Sequence, residues 1–267
     1  MFMTLAVRGG EESRWQRWKR SVAGRDLWWQ SASCGGCRYI RVEWYGAVER
    51  IPWNRIAMLT DRRRLPVLIP PEITLPEGCP IRRYEPQDFT AKLVVATARQ
   101  CLAQVPEKAR RGLVGVIDPQ GIAPWVCSEL APTCRGLKIY TLRPQRYALQ
   151  ENLLREEYGL PLLYAASTAE MKECLLCVAP YPTGILVVPA PTLTADRSGI
   201  QGRPTVNRLA MTLSAEQRAA VPPGVIPTAF WGALTEQGMR RIGLELQAEG
   251  CRIDGRLAPP EELARLM

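Results

Sequence analysis

A turn between two apolar stretches holds the residues best suited to bind a ligand. Leu113–Ile117 is continuously apolar and runs into Asp118-Pro119-Gln120-Gly121, after which a second apolar stretch covers 122–130. A strand, a tight turn with a glycine and a following helix form a common nucleotide site, because the free N–H groups and the positive end of the helix dipole attract phosphate. We therefore expect any ligand to bind at this turn.

Asp118 changes what the turn predicts. A dinucleotide-binding turn normally has glycine at this point, and a carboxylate repels a phosphate at close range. Asp118 followed by Pro119 is also an efficient helix start, with Asp as the N-cap and Pro at the first helical position. We therefore expect the protein's own carboxylate to occupy the anion site, so that nucleotide binding is absent or altered.

Two arginines follow the next apolar strand. Residues 138–142 (KIYTL) run into Arg143-Pro144-Gln145-Arg146. Guanidinium groups at a strand end bind phosphate through paired hydrogen bonds, but they also bind backbone carbonyls or pair with acids such as Glu151. Both interpretations stay open. If a ligand binds, the sequence predicts that it contacts Asp118, Gln120, Gly121, Arg143 and Arg146. The same edge would gather Ala166, Ser167, Pro180, Tyr181, Thr183 and Gly184.

The composition limits the chemistry that remains. None of the 267 residues is histidine. Catalysis by Ser-His-Asp or Cys-His groups and metal binding by histidine are therefore excluded. Any reaction would use carboxylates, lysine, tyrosine, cysteine or a cofactor, and no catalytic residue is identified.

Cysteine supplies two close pairs, Cys34–Cys37 and Cys174–Cys177, among nine cysteines in all. The first pair precedes a strand-like segment, so it lacks the helix N-terminus that activates redox thiols. The two pairs are also much too far apart in sequence for a zinc finger or ribbon. We therefore predict no metal site. An odd number of cysteines, several of them in apolar runs, is typical of free thiols in a reducing compartment, here the cytoplasm.

The elements that carry these residues change character along the chain. We predict a basic segment over 1–24, a β-rich domain over 25–86, a linking helix and linker over 87–111, and an α/β domain over 112–267. The predicted elements are strands at DLWWQSAS, CRYIRVEWYG, AVERIPW and RLPVLIPPEITLPEG, a helix at 87–104, and alternating strands and helices from 112. In chain order, the strands and helices predicted from residue 112 onward are LVGVID, PQGIAPWVCSELAPTC, KIYTL, PQRYALQENLLREEYG, LPLLYAA, TAEMKEC, LLCVAP, GILVVPA, VNRLAMTL, IPTAFWGALTEQGM, RIGLEL and PPEELARLM. Short apolar runs separated by helices indicate a buried, doubly wound parallel sheet.

Residues 112–188 resemble the dinucleotide-binding domain of the shikimate dehydrogenase and glutamyl-tRNA reductase kind, with a degenerate glycine motif. The resemblance implies a Rossmann-like fold. In members of that family that prefer NADP, an arginine-bearing loop after the second strand binds the 2′-phosphate, and Arg143 and Arg146 stand in the matching loop. The lysine and aspartate that shikimate dehydrogenases use for proton transfer are not recognisable in the N-terminal region, so the resemblance does not imply that activity.

Charge is concentrated in the first part of the chain. Residues 1–112 hold 20 Lys/Arg against 11 Asp/Glu, whereas residues 113–267 hold 15 of each, so the whole net charge of +9 lies before 113. A basic region of this kind is typical of proteins with an acidic partner, and it also occurs as a solvated face. Trp15 and Trp18 lie among the cations of 14–20, a pattern found in nucleic-acid binding, but their spacing of three favours packing on one helical face.

Three functions are compatible with these features. The first is a Rossmann-like protein, diverged from a dehydrogenase-type ancestor, with no or altered nucleotide binding. The second is an NADP-dependent oxidoreductase that uses Arg143 and Arg146 for the 2′-phosphate. The third is a basic interaction or nucleic-acid-binding module on a Rossmann-like scaffold. The sequence leaves open whether the protein is an enzyme, and no apolar run is long enough to cross a membrane.

Overall fold

The structure is a computed structural model that describes residues 1–8, 26–59, 65–106, 112–195, 199–238, 246–265 and 267. The chain divides into two compact units, the first made of Met1–Pro86 with Leu213–Leu244 and the second of Gln87–Thr212 with Glu245–Met267. The first unit thus includes a segment that the sequence analysis assigned to the α/β domain. The basic segment 14–20 lies outside the described residues.

The described residues form fourteen strands and seven α-helices. The strands are β1 (Phe2–Val7), β2 (Leu27–Cys34), β3 (Cys37–Trp44), β4 (Val67–Leu68), β5 (Leu113–Ile117), β6 (Leu137–Tyr140), β7 (Leu162–Ala165), β8 (Cys174–Ala179), β9 (Leu186–Val187), β10 (Thr192–Thr194), β11 (Ile200–Gln201), β12 (Thr205–Met211), β13 (Ala248–Ile253) and β14 (Arg256–Ala258). The helices are α1 (Trp53–Leu59), α2 (Gln87–Gln104), α3 (Trp125–Leu130), α4 (Ala148–Leu153), α5 (Ala215–Ala220), α6 (Pro227–Glu236) and α7 (Pro260–Ala264).

The first unit contains a four-stranded sheet with the order β2-β3-β1-β4. Strands β2 and β3 form the predicted hairpin around Gly35-Gly36, whose φ angles of 54° and 80° suit a tight hairpin turn. Strand β1 runs parallel to β3 and to β4, and it is not among the strands that the sequence predicts. Residues 47–53 are not the predicted strand but a 3-10 turn at Val48–Arg50 that leads into α1.

Residues 47–53 are helical rather than extended for a local physical reason. The carbonyl of Pro52 accepts hydrogen bonds from the N–H groups of Arg55 and Ile56, so the backbone is paired within a helical turn. Proline also lacks the N–H that a strand ladder needs. Ile51 and Ile56 are both buried in the core of the unit, and a helical turn satisfies this burial as well as a strand would.

The second unit contains an eight-stranded sheet with the order β14-β13-β12-β10-β8-β5-β6-β7. The six strands from β12 to β7 are parallel, whereas β13 and β14 add an antiparallel hairpin at one edge. Numbered from β5, the parallel strands have the spatial order 3-2-1-4-5-6 of the Rossmann fold. The predicted fold class, a Rossmann-like parallel sheet preceded by a smaller β-containing unit, is confirmed.

Most predicted elements of the second unit are present, but several are shorter. The helix α2 has the predicted bounds, and its predicted face of Phe89, Leu93, Val94, Ala98 and Leu102 is buried. The helix expected over 119–134 is reduced to α3 and a 3-10 turn, and the one expected at 168–174 is a 3-10 turn at Thr168–Glu173. GILVVPA contributes only β9, which pairs with β11 outside the large sheet.

The C-terminal predictions are confirmed where the structure describes them. VNRLAMTL forms β12, α6 begins at Pro227 as expected, and α7 lies in the terminal segment. Most of RIGLEL lies outside the described residues. Within the described part of the chain, no helix is long and apolar enough to cross a membrane.

Candidate functional site

The parallel sheet has one position where a ligand site is expected. Strand order reverses between β5 and β8, because the chain first builds outward through β6 and β7 and then returns to the other side of β5. Open α/β sheets bind ligands outside the carboxyl ends of the strands at this switch point. Here β5 ends at Ile117, directly before Asp118, and β8 ends at Ala179, two residues before Tyr181.

Asp118 is buried at this position, with only 3% of the residue exposed. Its Oδ2 accepts hydrogen bonds from the Ala123 backbone N–H at 2.8 Å and from the Tyr147 hydroxyl at 2.7 Å. The N-cap role predicted for Asp118 is wrong, because α3 begins at Trp125 after Pro124 and has no side-chain cap. The carboxylate instead closes the turn 118–123 on itself and joins it to the loop that carries Tyr147.

Gly121 is required by both the backbone and its surroundings. Its φ of +64° lies in the left-handed region that favours glycine. A Cβ at this position would lie 2.8 Å from the Cβ of Arg143 and 3.1 Å from the Cδ of Arg146. The side of the turn where a dinucleotide-binding motif keeps open space is therefore filled by the neighbouring loop.

The five predicted contact residues do lie together, on the adjacent turns that follow β5 and β6. Arg146 Nη1 donates to the backbone carbonyls of Gly121 at 3.3 Å and of Gln120 at 3.5 Å. Arg146 thus takes the carbonyl-binding role that the sequence left open as one of two interpretations. The Arg143 side chain is exposed, and its backbone N–H donates to the Thr141 hydroxyl at 3.1 Å.

Electrostatics around Asp118 favour a neutral, hydrogen-bonding partner. Burial raises the pKa of the Tyr147 phenol well above its ordinary value, and the nearby Asp118 carboxylate raises it further. Burial also raises the pKa of the Cys127 thiol to about 12, with smaller contributions from Cys134 and Asp118. Tyr147 therefore stays protonated over the whole neutral range and donates its proton to the carboxylate.

A second polar group, made of Tyr181, Asp88 and Trp125, lies on the β8 side of the switch point. The Tyr181 hydroxyl donates to Asp88 Oδ1 at 2.9 Å and accepts from the Trp125 side chain. Burial, followed by the contact with Asp88, raises the pKa of Tyr181 to about 12. Tyr181 was among the predicted strand-end residues, whereas Asp88 and Trp125 were not. Their signal was their place at the first turns of α2 and α3.

These groups favour some ligands over others. The Asp118 and Asp88 carboxylates repel phosphate at close range, whereas the Arg143 and Arg146 guanidiniums of the neighbouring loop attract it. Tyrosine, tryptophan and carboxylate groups instead suit hydroxyl-bearing or cationic ligands. Among the residues that the structure describes, no three His, Cys, Asp or Glu side chains are grouped to hold a metal ion.

The hairpin pair Cys34 and Cys37 is one of the two close pairs of cysteines in the chain. The two residues lie opposite each other beside the Gly35-Gly36 turn, and both are free thiols. Burial raises the pKa of Cys34, and the Cys37 thiol contacts the backbone carbonyl of Leu234 at 3.8 Å. This pair therefore packs as part of the first unit.

Comparison with known proteins gives distant structural similarity only. No family model and no curated protein matches the chain. L-tryptophan dehydrogenase from Nostoc punctiforme is 10% identical with a TM-score of 0.34, covering 88% of this chain and 73% of that chain. Quinate dehydrogenase from Corynebacterium glutamicum, in complex with NAD, is 11% identical with a TM-score of 0.29, covering 69% and 72%.

A reductase gives a similarity of the same kind. Thermococcus litoralis Δ1-pyrroline-2-carboxylate reductase, in complex with NADH and L-proline, is 11% identical with a TM-score of 0.30 over 40% of this chain, and the match spans only 36% of the reductase. These TM-scores are too low to support a family or a cofactor. The Rossmann-like fold rests on the strand order, and the resemblance to the shikimate dehydrogenase kind stays a prediction.

Proposed function

We propose that this chain is a Rossmann-like protein whose phosphate turn has become structural, so that no dinucleotide binds there in the usual pose. The observation that carries the proposal is the position of the Asp118 carboxylate, which lies between the Ala123 N–H and the Tyr147 hydroxyl. In a dinucleotide site, backbone N–H groups of this turn would face the pyrophosphate. Here the protein's own carboxylate accepts from one of them.

Two further contacts support the same conclusion. Arg146 donates to the carbonyls of Gln120 and Gly121, so its guanidinium is engaged by the turn. The space beside Gly121 is occupied by Arg143 and Arg146, which would have to move before a pyrophosphate approached. Any ligand of the switch point would then contact other groups there, and we place Trp125 and Tyr181 among them.

Thermal unfolding in the presence of NAD, NADH, NADP or NADPH tests the proposal. A cofactor with a dissociation constant of about 10 µM would add about 2.7 kcal/mol at about 1 mM and raise the Tm by several degrees. We expect no such rise with any of the four. A rise that Arg143→Ala abolishes, and that the exposed-surface control Arg82→Ala retains, would overturn the proposal.

The same thermal unfolding experiment tests a second candidate function, that of an NADP-dependent oxidoreductase. The observation that favours this second candidate is the exposed Arg143 side chain, which stands beside the turn that follows β5. A 2′-phosphate clamp predicts a rise in Tm with NADP and NADPH that is larger than the rise with NAD and NADH. Equal curves with all four nucleotides contradict it.

A nucleic-acid-binding role is favoured by one feature of the first unit. Trp28 and Trp29 are 39% and 55% exposed on β2, which is the outer strand of its sheet. Exposed aromatic rings in a basic region stack on bases of single-stranded nucleic acid. This candidate predicts salt-sensitive binding of a single-stranded oligonucleotide that falls when Trp29→Ala is introduced, whereas Met58→Ala, a change at another exposed apolar residue, leaves it intact.

A further inference from the structure

Cys174 and Cys177 form a close thiol pair at the start of β8, away from the strand ends that make up the candidate site. We propose that these two residues are a redox modification site, which hydrogen peroxide converts to an intramolecular disulfide. The proposal is independent of whether the switch point binds a nucleotide. It rests on the local strand geometry, on the position of Gly115 and on the charge of Lys138.

A β-bulge brings the two side chains to the same face. In a regular strand, residues three apart point to opposite faces of the sheet. Strand β8 departs from this rule, because Leu113 of β5 pairs with Cys174 while the next residue, Val114, pairs with Leu176. Leu175 is thus the extra residue of a bulge, and it returns Cys177 to the face of Cys174.

Gly115 provides the space in which the two sulfur atoms meet. A Cβ at residue 115 would lie 2.5 Å from the sulfur of Cys177 and 3.2 Å from the sulfur of Cys174. Both sulfurs therefore lie over the same backbone position of β5. The Cys177 thiol interacts directly with Cys174, and this interaction together with burial raises the pKa of Cys177 well above its ordinary value.

Lys138 of β6 distinguishes Cys174 from the other buried thiols. The Lys138 residue is 9% exposed, and its Nζ donates to the Glu170 carbonyl at 3.0 Å and lies 3.5 Å from a carboxylate oxygen of Glu173. The hydrogen bond from Cys177 and the charge of Lys138 lower the pKa of Cys174, against the opposing effects of burial and Glu173.

Two other buried thiols, Cys101 and Cys127, behave differently. Burial raises the pKa of Cys101 and of Cys127 to about 12. The thiolate is the nucleophilic form of cysteine, so Cys174 is the more reactive thiol of this set. Cys174 is 5% exposed whereas Cys177 is fully buried, so the proposal requires peroxide to reach the pair at Cys174.

The chemistry proceeds in two balanced steps. The Cys174 thiolate attacks one oxygen of hydrogen peroxide, the O–O bond breaks, and hydroxide leaves and takes up the proton that Cys174 has lost, forming water. The Cys177 sulfur then attacks the sulfur of the Cys174 sulfenic acid. The S–O bond breaks, and the departing oxygen takes the Cys177 proton and leaves as a second water. The two sulfurs lose two electrons in all, and the peroxide gains them.

Mass spectrometry of the full chain tests the site. The protein is exposed to hydrogen peroxide, then denatured in N-ethylmaleimide, digested with trypsin and compared with an untreated sample. The two cysteines lie in one tryptic peptide, 173–197. We expect treatment to yield this peptide unlabelled and lighter by two hydrogen atoms, whereas the peptides that contain Cys101 and Cys127 stay labelled. A doubly labelled 173–197 peptide under these conditions would overturn the proposal.

Variants separate the two steps. In Cys177→Ser the disulfide cannot form, and we expect dimedone to trap a sulfenic acid on Cys174. Lys138→Met should slow disulfide formation about three- to tenfold, since it removes the charge that favours the thiolate. Lys92→Met, a change at an exposed lysine of α2, is the matched control and should leave the rate unchanged. Equal rates for Lys138→Met and Lys92→Met contradict the role of Lys138.

Discussion

The hydrogen bond from Tyr147 to Asp118 joins the turn after β5 to the loop after β6 with two buried side chains. A buried carboxylate is costly unless donors surround it, and here a phenol and a backbone N–H meet that need. Each of the two side chains therefore stabilises the other in its buried position. The proposed loss of dinucleotide binding rests on this pair, because it closes the turn on itself.

Alkaline unfolding provides a measurement of this pair. The folded pKa of Tyr147 is raised above its ordinary value of 10.0. Its contribution to stability is complete below pH about 10 and is lost as the pH rises further, because the unfolded chain releases a proton that the folded protein keeps. Tyr147→Phe should make the fall in unfolding free energy above this pH shallower by about 1.4 kcal/mol per pH unit.

Denaturant titrations at several pH values between 8 and 11 would give these slopes. Tyr158→Phe, a change at an exposed tyrosine of the same unit, is the control for losing one phenol. A slope for Tyr147→Phe equal to that of the unmodified chain would show that the phenol is not held neutral by Asp118 and burial.

At the scale of elements, substitutions at two glycines measure how tightly the turn after β5 packs against the loop after β6. Gly121 and Gly159 both have a left-handed φ, with values of +64° and +63°. They differ in surroundings, because a Cβ at Gly159 would meet nothing within 4 Å whereas one at Gly121 would meet Arg143 and Arg146. Alanine at either position destabilises the protein by about 1 kcal/mol, because its Cβ disfavours a left-handed backbone.

Gly121→Ala should therefore destabilise the protein by about 1–3 kcal/mol more than Gly159→Ala, since only the first change also crowds the neighbouring loop. The midpoints of urea unfolding for the two variants give the difference directly. Equal midpoints would show that the loop after β6 moves aside freely, and in that case the space beside Gly121 is accessible to a ligand.

The strands of the second unit were predictable for a physical reason that also explains the exceptions. Strands buried on both faces are continuous apolar runs, and the central strands β5 and β8 have that pattern, whereas β6 contains Lys138 and β12 alternates buried and exposed residues. Strand β10 is buried too, but two of its three residues are Thr192 and Thr194, so no apolar run marks it. The alternation of strands and helices still identifies the fold class, because it is a property of the whole sheet and does not depend on any one strand.

The site was less predictable, because side-chain contacts between distant residues decide it. Asp118-Pro119 is a good helix start in sequence, yet the Asp118 carboxylate bonds to the Ala123 N–H and delays the helix until Trp125. The proximity of Arg143 and Arg146 to the turn followed from parallel pairing of β5 and β6, whereas their contacts did not. The bulge that pairs Cys174 with Cys177 has no sequence pattern of its own.

At the scale of the whole molecule, the chain builds its first unit from two separate segments. Phe230 of α6 is fully buried, and its ring lies 5.3 Å from the ring of Tyr39 and 6.1 Å from that of Phe2. The apolar pattern of α6 shows that the helix is buried, but it does not show what it is buried against. The sequence therefore predicts Leu213–Leu244 as part of the α/β domain, whereas the structure groups this segment with Met1–Pro86.

Phe230→Ala tests whether this return segment stabilises the first unit selectively. Removing a buried phenylalanine should cost about 3–5 kcal/mol, and the loss should fall on the unit whose aromatic cluster it belongs to. Native hydrogen exchange should therefore speed up at the amides of β1 and β3 while those of β5 and β6 keep their protection. Met58→Ala, a change at a residue that is 71% exposed in α1, should leave both sets unchanged. A uniform loss of protection across β1, β3, β5 and β6 in Phe230→Ala would instead mean that the two units unfold as one cooperative body.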